Sequence, residues 1–184
     1  RRTRRALTAT AILAVGGTAV AALVNLTLTD FHLAGTQVGD VALQNMIPSS
    51  DCGICHTVFE NPASPYSSWE GSLMAQAGRD PLFFAQMTTA NQDVANAGYF
   101  CMRCHVPMSF VTEHAYDVDG STLDEFDREG VSCHFCHSMV DPIYKPGINP
   151  GEDEQILAGL ESAPAHYGNA MFVLDPGGTR RGPR

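Results

Sequence analysis

Six cysteines and three histidines recur in one spacing along the sequence. The first repeat is Cys52-Gly-Ile-Cys55-His56, the second is Cys101-Met-Arg-Cys104-His105, and the third is Cys133-His-Phe-Cys136-His137. In a C-x-x-C-H unit the two thiols can form thioether bonds with the two vinyl groups of one porphyrin, and the following histidine lies beneath the iron as its proximal ligand. The pattern predicts three covalently bound c-type haems, attached by the six cysteines and ligated by His56, His105 and His137.

Zinc coordination and disulfide formation are the other common uses of paired cysteines. All six cysteines of the chain fall inside the three repeats, and a histidine follows every pair. A disulfide framework does not require those histidines, and a zinc site does not need one after each pair. The spacing therefore favours haem over both alternatives.

Each haem iron has a second axial position, which a histidine or a methionine can fill. His114 and His166 are candidates for it, with the role of an ordinary surface histidine left open for both. His134 is a weaker candidate, because the short covalent loop between the two cysteines of the third repeat directs its side chain away from that iron.

Residues between the repeats carry a resemblance to a known family. They are Trp69-Glu-Gly-Ser72-Leu-Met74, Arg79-Asp80-Pro81, the proline two residues after the second repeat, and Glu129-Gly-Val-Ser before the third. Over residues 51–139 this arrangement resembles the multihaem cytochrome c superfamily, which includes the tetrahaem cytochromes of nitrifiers and membrane-anchored periplasmic cytochromes. The resemblance implies a haem-packed domain that transfers electrons.

The same resemblance draws attention to Met74. Many relatives have a distal histidine after the Trp-x-x-Ser position, where this chain has a methionine. We therefore predict Met74 as the sixth ligand of the first haem, opposite His56. A core methionine packed on a haem edge is the alternative.

Residues 6–28 form an uncharged, largely apolar stretch that follows four arginines. At ~1.5 Å per residue, a helix of this length reaches ~35 Å, enough to cross a bilayer. A cleavable secretory signal is the alternative, with Ala19-Val-Ala21 as a small-residue site. Because arginines remain on the cytoplasmic side, the anchor predicts a single-pass inner-membrane protein whose haem domain lies in the periplasm.

The predicted organisation has three parts: an N-terminal anchor over residues 1–29, a linker over 30–50 and a trihaem domain over 51–184. The predicted fold class is mainly α with extensive irregular loops, in which one N-terminal transmembrane helix precedes a haem-packed multihaem cytochrome c domain. Helices are predicted from Ser67 or Ser68 to Ala77, over residues 81–97, and over two shorter stretches, 121–129 and 152–162. Residues 175–184 resemble a linking segment of longer relatives, so we expect the chain to belong to a longer protein.

The net charge of the chain indicates which macromolecules it can bind. Residues 30–175 contain four basic and twenty acidic residues, a formal charge of −16. Such a surface excludes nucleic acid as a plausible partner and favours a basic soluble redox protein, with solubility as the other explanation.

Three functions are compatible with these residues. The leading one is a non-enzymatic electron-transfer subunit between a membrane redox complex, such as a reaction centre, a quinol-oxidising complex or a reductase, and a second redox partner. The alternative is a quinol dehydrogenase, for which His32, Asp30 and Asp40 are candidate proton acceptors. A small-molecule reductase with an open haem is the weakest, because no cluster of Lys, Arg and His marks a vacant haem.

Overall fold

A computed structural model describes residues 26–57, 63–168 and 170–182, and these residues are mainly helical. Within those ranges the α-helices are Ser49–His56 (α1), Pro65–Glu70 (α2), Leu73–Gln76 (α3), Pro81–Asp93 (α4), Ala97–His105 (α5), Pro107–Val111 (α6), Cys133–His137 (α7) and Gly151–Ala158 (α8). The 3-10 helices are Leu28–Phe31, Leu43–Asn45, His114–Tyr116 and Asp127–Glu129. Strands Met139–Val140 (β1) and Val173–Leu174 (β2) pair antiparallel, with Met139 opposite Leu174.

The predicted transmembrane helix is not found. In the described part of the chain, every helix is too short or too polar to cross a bilayer. The apolar stretch over residues 6–28 lies almost wholly outside the described residues, and its last residue, Leu28, begins a 3-10 helix instead. The predicted fold class is therefore wrong in its transmembrane element. The predicted inner-membrane location, with a periplasmic haem domain, is contradicted with it.

Helix α4 begins where its sequence predicts. The side chain of Asp80 accepts a hydrogen bond from the backbone N–H of Leu82, and Pro81 occupies the first helical position. The predicted extension to residue 97 is wrong, because Val94 is extended and Asn96 has a φ of 65°. A new helix, α5, starts at Ala97 and carries the second repeat at its C-terminal end.

A helix that ends at residue 97 would place Gly98 just after it, but Gly98 lies inside α5 for a packing reason. A Cβ built at this position would lie far inside contact distance of the Val118 carbonyl oxygen. The backbone N–H of Gly98 also donates to the Asn91 side chain, whose amide donates to the same Val118 carbonyl. Glycine is required here by the close approach of two backbones rather than by a turn.

The apolar core lies around helices α5 and α6. Its fully buried members include Tyr99, Met102, Phe110 and Leu174. Residues 30–50, predicted as a linker, contribute Val41 and Met46 to this core. Burial of large apolar side chains is the main stabilising contribution in such a small body.

Two further differences have local causes. The helix predicted over residues 67–77 is divided into α2 and α3 by Gly71 and Ser72, and Ser72 caps α3. In the stretch 121–129, Ser121 binds the carboxylates of Asp117 and Asp119 and forms a turn, so helix is confined to Asp127–Glu129. The pairing of β1 with β2 was not predicted, because a two-residue strand has no alternation to detect.

Candidate functional site

All three repeats lie at helix C-termini. The first repeat ends α1, the second ends α5, and the third forms α7. Side chains at i, i+3 and i+4 share one face of a helix, so each helix presents both thiols and the histidine on the same side. All six thiols are free, and the second cysteine of each pair is exposed.

The first and third repeats open onto one cavity of about 740 Å³. Its lining is mostly apolar and includes both cysteines and the last histidine of each repeat, together with His134, Tyr66, Trp69, Arg180 and Arg181. A volume of this size is in the range of small-molecule and cofactor sites, which are mostly apolar with a few polar groups. The residues that line the cavity therefore suit a covalently attached porphyrin.

Reciprocal hydrogen bonds fix the first and third repeats to each other. The backbone N–H of Ser49, at the start of α1, donates to the Glu129 carboxylate at 2.9 Å. The hydroxyl of Ser49 in turn accepts a hydrogen bond from the backbone N–H of Cys133 at 3.1 Å. Trp69 adds a third connection by donating from Nε1 to the Val131 carbonyl at 2.8 Å. These hydrogen bonds fix the position of the first repeat relative to the third, and so they fix the two walls of the cavity relative to each other.

Gly130 allows the segment before the third repeat to approach α3. Its φ is 68°, and a Cβ there would lie 2.5 Å from the Met74 carbonyl oxygen. That carbonyl accepts a hydrogen bond from the backbone N–H of Val131 at 3.0 Å. Ser132 then caps α7 by accepting from the backbone N–H of Phe135.

The C-terminal segment orients His137. Nδ1 of His137 lies 2.7 Å from the Arg181 carbonyl oxygen, and because a carbonyl only accepts, this nitrogen carries the hydrogen. Nε2 is then the nitrogen with a lone pair for a metal. A histidine that ligates a metal usually donates its other N–H to a backbone carbonyl or carboxylate in this way. Arg181 is itself held by Asp153 at 2.7 Å and Asp175 at 3.2 Å.

His134 has a structural position in the same segment. It is fully buried, its Nδ1 accepts from the backbone N–H of Ile47 at 2.8 Å, and its Nε2 donates to the Gly178 carbonyl at 2.9 Å. Both ring nitrogens are therefore occupied by backbone groups. Burial lowers the pKa of His134, and the positive charge of Arg180 lowers it further.

We expect His134 to make folding sensitive to mild acid. Below about pH 6.5 the unfolded chain binds a proton at this histidine, whereas the folded chain resists it because Nδ1 is already an acceptor. The free energy of unfolding should therefore decline as the pH falls from 7 to 5, and the His134→Gln variant should show a smaller decline. Denaturant titrations at pH 7, 6 and 5 test this, with His166→Gln as the exposed control. An equal pH dependence in wild type and His134→Gln would contradict the assignment.

Four of the six thiols do not resemble redox-active thiols. Burial raises the pKa of Cys52, Cys101, Cys104 and Cys136, whereas reactive thiols have lowered pKa values. Among the described residues, the only group of three or more donors close enough to share a metal ion is His114, Asp124 and Asp127. The cysteines of different repeats are thus not assembled into a Cys-rich metal centre.

The second repeat lies outside the shared cavity. The ring of His105 stacks on Phe83 at a centroid distance of 4.1 Å, and desolvation by burial lowers the pKa of His105. Leu82, next to Phe83 on α4, is 74% exposed. An apolar helix surface therefore stands beside this histidine.

The predicted distal ligands have different surroundings. Met74 is half exposed and does not line the shared cavity, so its role as the sixth ligand of the first haem stays a prediction. His166 is exposed in the loop after α8. His114 is half-buried, and its Nδ1 donates to Asp127 at 2.7 Å. Neither histidine lines the shared cavity.

The residues suggested for quinol oxidation are engaged in local structure. Asp30 accepts hydrogen bonds from the backbone and the hydroxyl of Thr27, which lower its pKa, and Asp40 accepts from the backbone of Gln37. The ring of His32 stacks on Tyr99 with centroids 6.3 Å apart. A lowered pKa makes Asp30 a poorer proton acceptor.

Searches of protein-family models, of curated proteins and of solved structures found no match to this chain. The resemblance of its motifs to multihaem cytochromes therefore stays a prediction that depends on the residues described above.

Several contributors to the site were not predicted as such. Arg181 contacts His137 through its backbone carbonyl, so its residue type gave no signal. The hydroxyl of Ser49 contacts Cys133, 84 positions further along the chain. Glu129 stood in the segment that carries the resemblance, but its contact with Ser49 spans 80 positions of sequence. Only a tertiary structure brings these residues together.

Proposed function

We propose that this protein is a trihaem c-type cytochrome that transfers single electrons between redox partners. The observation that carries the proposal is the convergence of the first and third repeats on one apolar cavity. Four thiols and two histidines face it, and His137 is held in the tautomer that leaves Nε2 available. This donor set is the one that covalent haem attachment requires.

The cysteines, the histidines and the residues that line the cavity have different roles in the proposed function. The cysteines of each repeat would hold a porphyrin through thioether bonds, and His56, His105 and His137 would each supply one axial nitrogen. Bound haem supplies iron that gains and loses one electron. In the cavity, Tyr66 and Trp69 provide apolar walls that exclude water, and the carbonyl of Arg181 fixes the ring of His137.

The surface charge supports a basic partner. The acidic body would attract a positively charged redox protein over a distance set by ionic strength. Mixing the reduced protein with a basic soluble cytochrome in a stopped-flow instrument tests this. Electron transfer should be fast at low salt and slow markedly at ~0.5 M salt, because screening shortens the range of attraction. A rate that is independent of salt would contradict a charge-guided partner.

Haem stoichiometry tests the proposal directly. We expect the mass of the denatured protein to exceed that of the polypeptide by three haems, since thioether bonds survive unfolding. Replacing both cysteines of one repeat by serine should remove one haem and leave two. The matched control is Ile54→Ala, which changes an exposed residue between two attachment cysteines and should retain all three.

Two results would overturn the proposal. Pigment that acid acetone extracts from the wild type would show that the haem is not covalently bound. A colourless protein that contains zinc in proportion to its cysteine pairs would show that the repeats coordinate metal ions directly.

A further inference from the structure

A second group of donors lies apart from the cysteine repeats. His114, Asp124 and Asp127 each offer one ligand atom, and these atoms lie within 4.8 Å of one another. The two 3-10 helices His114–Tyr116 and Asp127–Glu129 supply two of the residues, and the turn before the second helix supplies Asp124. None of the three lines the cavity of the first and third repeats.

Hydrogen bonds hold this group in a fixed arrangement. Nδ1 of His114 donates to Oδ2 of Asp127 at 2.7 Å, and the backbone N–H of Asp124 donates to the same oxygen at 3.1 Å. The backbone N–H of Asp127 donates to Oδ1 of Asp124 at 2.9 Å. The donor atoms are therefore positioned by the backbone as well as by one another.

One oxygen of this group is buried without a partner. Asp127 is 0% exposed, and its Oδ1 has no hydrogen-bond partner among the described residues. A buried carboxylate oxygen that has lost its water and gained no donor destabilises the folded state. The hydrogen bond from His114 does not remedy this, because it goes to the other oxygen. A cation beside Oδ1 would.

We propose that His114, Asp124 and Asp127 form a binding site for a divalent metal ion, with Oδ1 of Asp127, one oxygen of Asp124 and Nδ1 of His114 as ligands. The ion takes the place of the hydrogen on Nδ1, which leaves to solvent as a proton. Two carboxylate oxygens and one imidazole suit ions such as Mn²⁺ and Zn²⁺, with water in the remaining positions. The ion balances the charge of both carboxylates in a strongly acidic body. Asp124 is exposed and the side chain of His114 is 31% exposed, so the ion can enter from solvent.

This site gives His114 a role other than that of an axial haem ligand. The inference does not depend on the proposed electron-transfer function, because it uses none of the cysteines. The two roles of His114 make different predictions. A cation ligand affects metal affinity, whereas an axial ligand affects the absorption spectrum of the haem.

Titration of the full protein with Mn²⁺ tests the site, since Mn²⁺ prefers oxygen ligands and avoids sulfur. Calorimetry and the loss of the free-ion EPR signal should both report one saturable site. We expect Asp124→Asn and His114→Gln each to weaken Mn²⁺ binding at least tenfold. Asp93→Asn is the matched control, because it removes an exposed carboxylate at the end of α4 and should leave affinity unchanged.

Thermal unfolding adds a readout that does not need Asp127 to be changed. Mn²⁺ should raise the melting temperature of wild type and Asp93→Asn, but not that of Asp124→Asn, because only a site in the folded state stabilises it. Binding that is weak, unsaturable and equally reduced by Asp93→Asn would show counterion attraction to an acidic surface and overturn the proposal. A changed haem spectrum in His114→Gln with unaltered Mn²⁺ affinity would also overturn it.

Discussion

Replacing Arg103 by alanine is expected to lower the free energy of unfolding by about 3–5 kcal/mol. The side chain is 0% exposed, and its guanidinium contacts the rings of Phe110 and Phe172, 4.7 and 4.6 Å from their centroids. Its Nε donates to the Ala170 carbonyl at 2.6 Å. Alanine would leave a cavity, remove two cation–π contacts and leave the Ala170 carbonyl without its donor.

Arg103→Lys should lie between wild type and Arg103→Ala. Lysine keeps the charge, but its ammonium group lacks the flat face of the guanidinium that contacts the two rings, and it cannot reproduce the guanidinium's fork of donors. Arg79→Ala is the control, since Arg79 is exposed and we expect a change within about 0.5 kcal/mol. Denaturant unfolding followed by circular dichroism measures all three variants. Equal losses for Arg79→Ala and Arg103→Ala would contradict the role given to burial and stacking.

A second effect of Arg103 depends on the proposed haem attachment. Burial lowers the pKa of Arg103 to about 10, so the side chain is still charged at pH 7. Its hydrogen-bond partners are neutral oxygens of Ala170, Gln37 and Ala34, and none neutralises it. A positive charge between Cys101 and Cys104 in sequence favours the reduced iron. The uncharged Arg103→Met variant should therefore lower the midpoint potential of one haem, whereas Arg103→Lys should largely preserve it.

The sequence predicts local features better than contacts between distant segments. The start of α4 follows from Asp80 and Pro81, because capping depends on residues two or three positions apart. The three repeats likewise define their own donors. The end of α4 and the place of Gly98 depend on Val118, twenty positions further along the chain, and no periodicity reveals such a contact.

In the candidate site, too, the sequence predicts local features but not contacts between distant segments. Each repeat specifies its two cysteines and its histidine, but the convergence of the first and third repeats depends on Ser49, Glu129 and Trp69. The resemblance included Trp69 and Glu129 without a physical reason for them. Their hydrogen bonds supply that reason, since both fix the segment before the third repeat.

Hydropathy gave the least reliable prediction. The apolar stretch over residues 6–28 has the composition of a membrane span, but no membrane-spanning helix exists in the described ranges, and Leu28, the last residue of the stretch, packs against the core. A run of apolar residues indicates burial without specifying whether lipid or protein provides it.

The shared cavity leads to a further expectation, which depends on the proposed haem attachment. Replacing Cys133 and Cys136 by serine should lower the midpoint potential of the first haem, which is attached at a different repeat. Replacing Cys101 and Cys104 should leave that potential nearly unchanged, because the second repeat does not line the cavity. Each double replacement removes one haem, so the two variants differ only in whether the second or the third haem is lost.

The expected decrease in the midpoint potential of the first haem follows from charge and solvation. An oxidised iron in the third site repels the positive charge of an oxidised iron in the first, and so favours reduction of the first. The repulsion between two such charges is stronger inside an apolar cavity than in water, because the cavity has the lower dielectric constant. Loss of the third haem also admits water into the cavity, and water favours the oxidised iron. Both effects lower the potential of the first haem.

Potentiometric titration of the visible absorption bands measures the effect, with circular dichroism to confirm that each variant is folded. Ser49→Ala provides a test that retains all six thiols, because it removes only the hydroxyl that accepts from the backbone of Cys133. We expect this variant to shift the midpoint potentials of the first and third haems and to leave the midpoint potential of the second haem unchanged. If loss of the second repeat changes the first potential as much as loss of the third, the first and third haems do not form an interacting pair. The first and third repeats would then form two independent haem sites, although they line the same cavity.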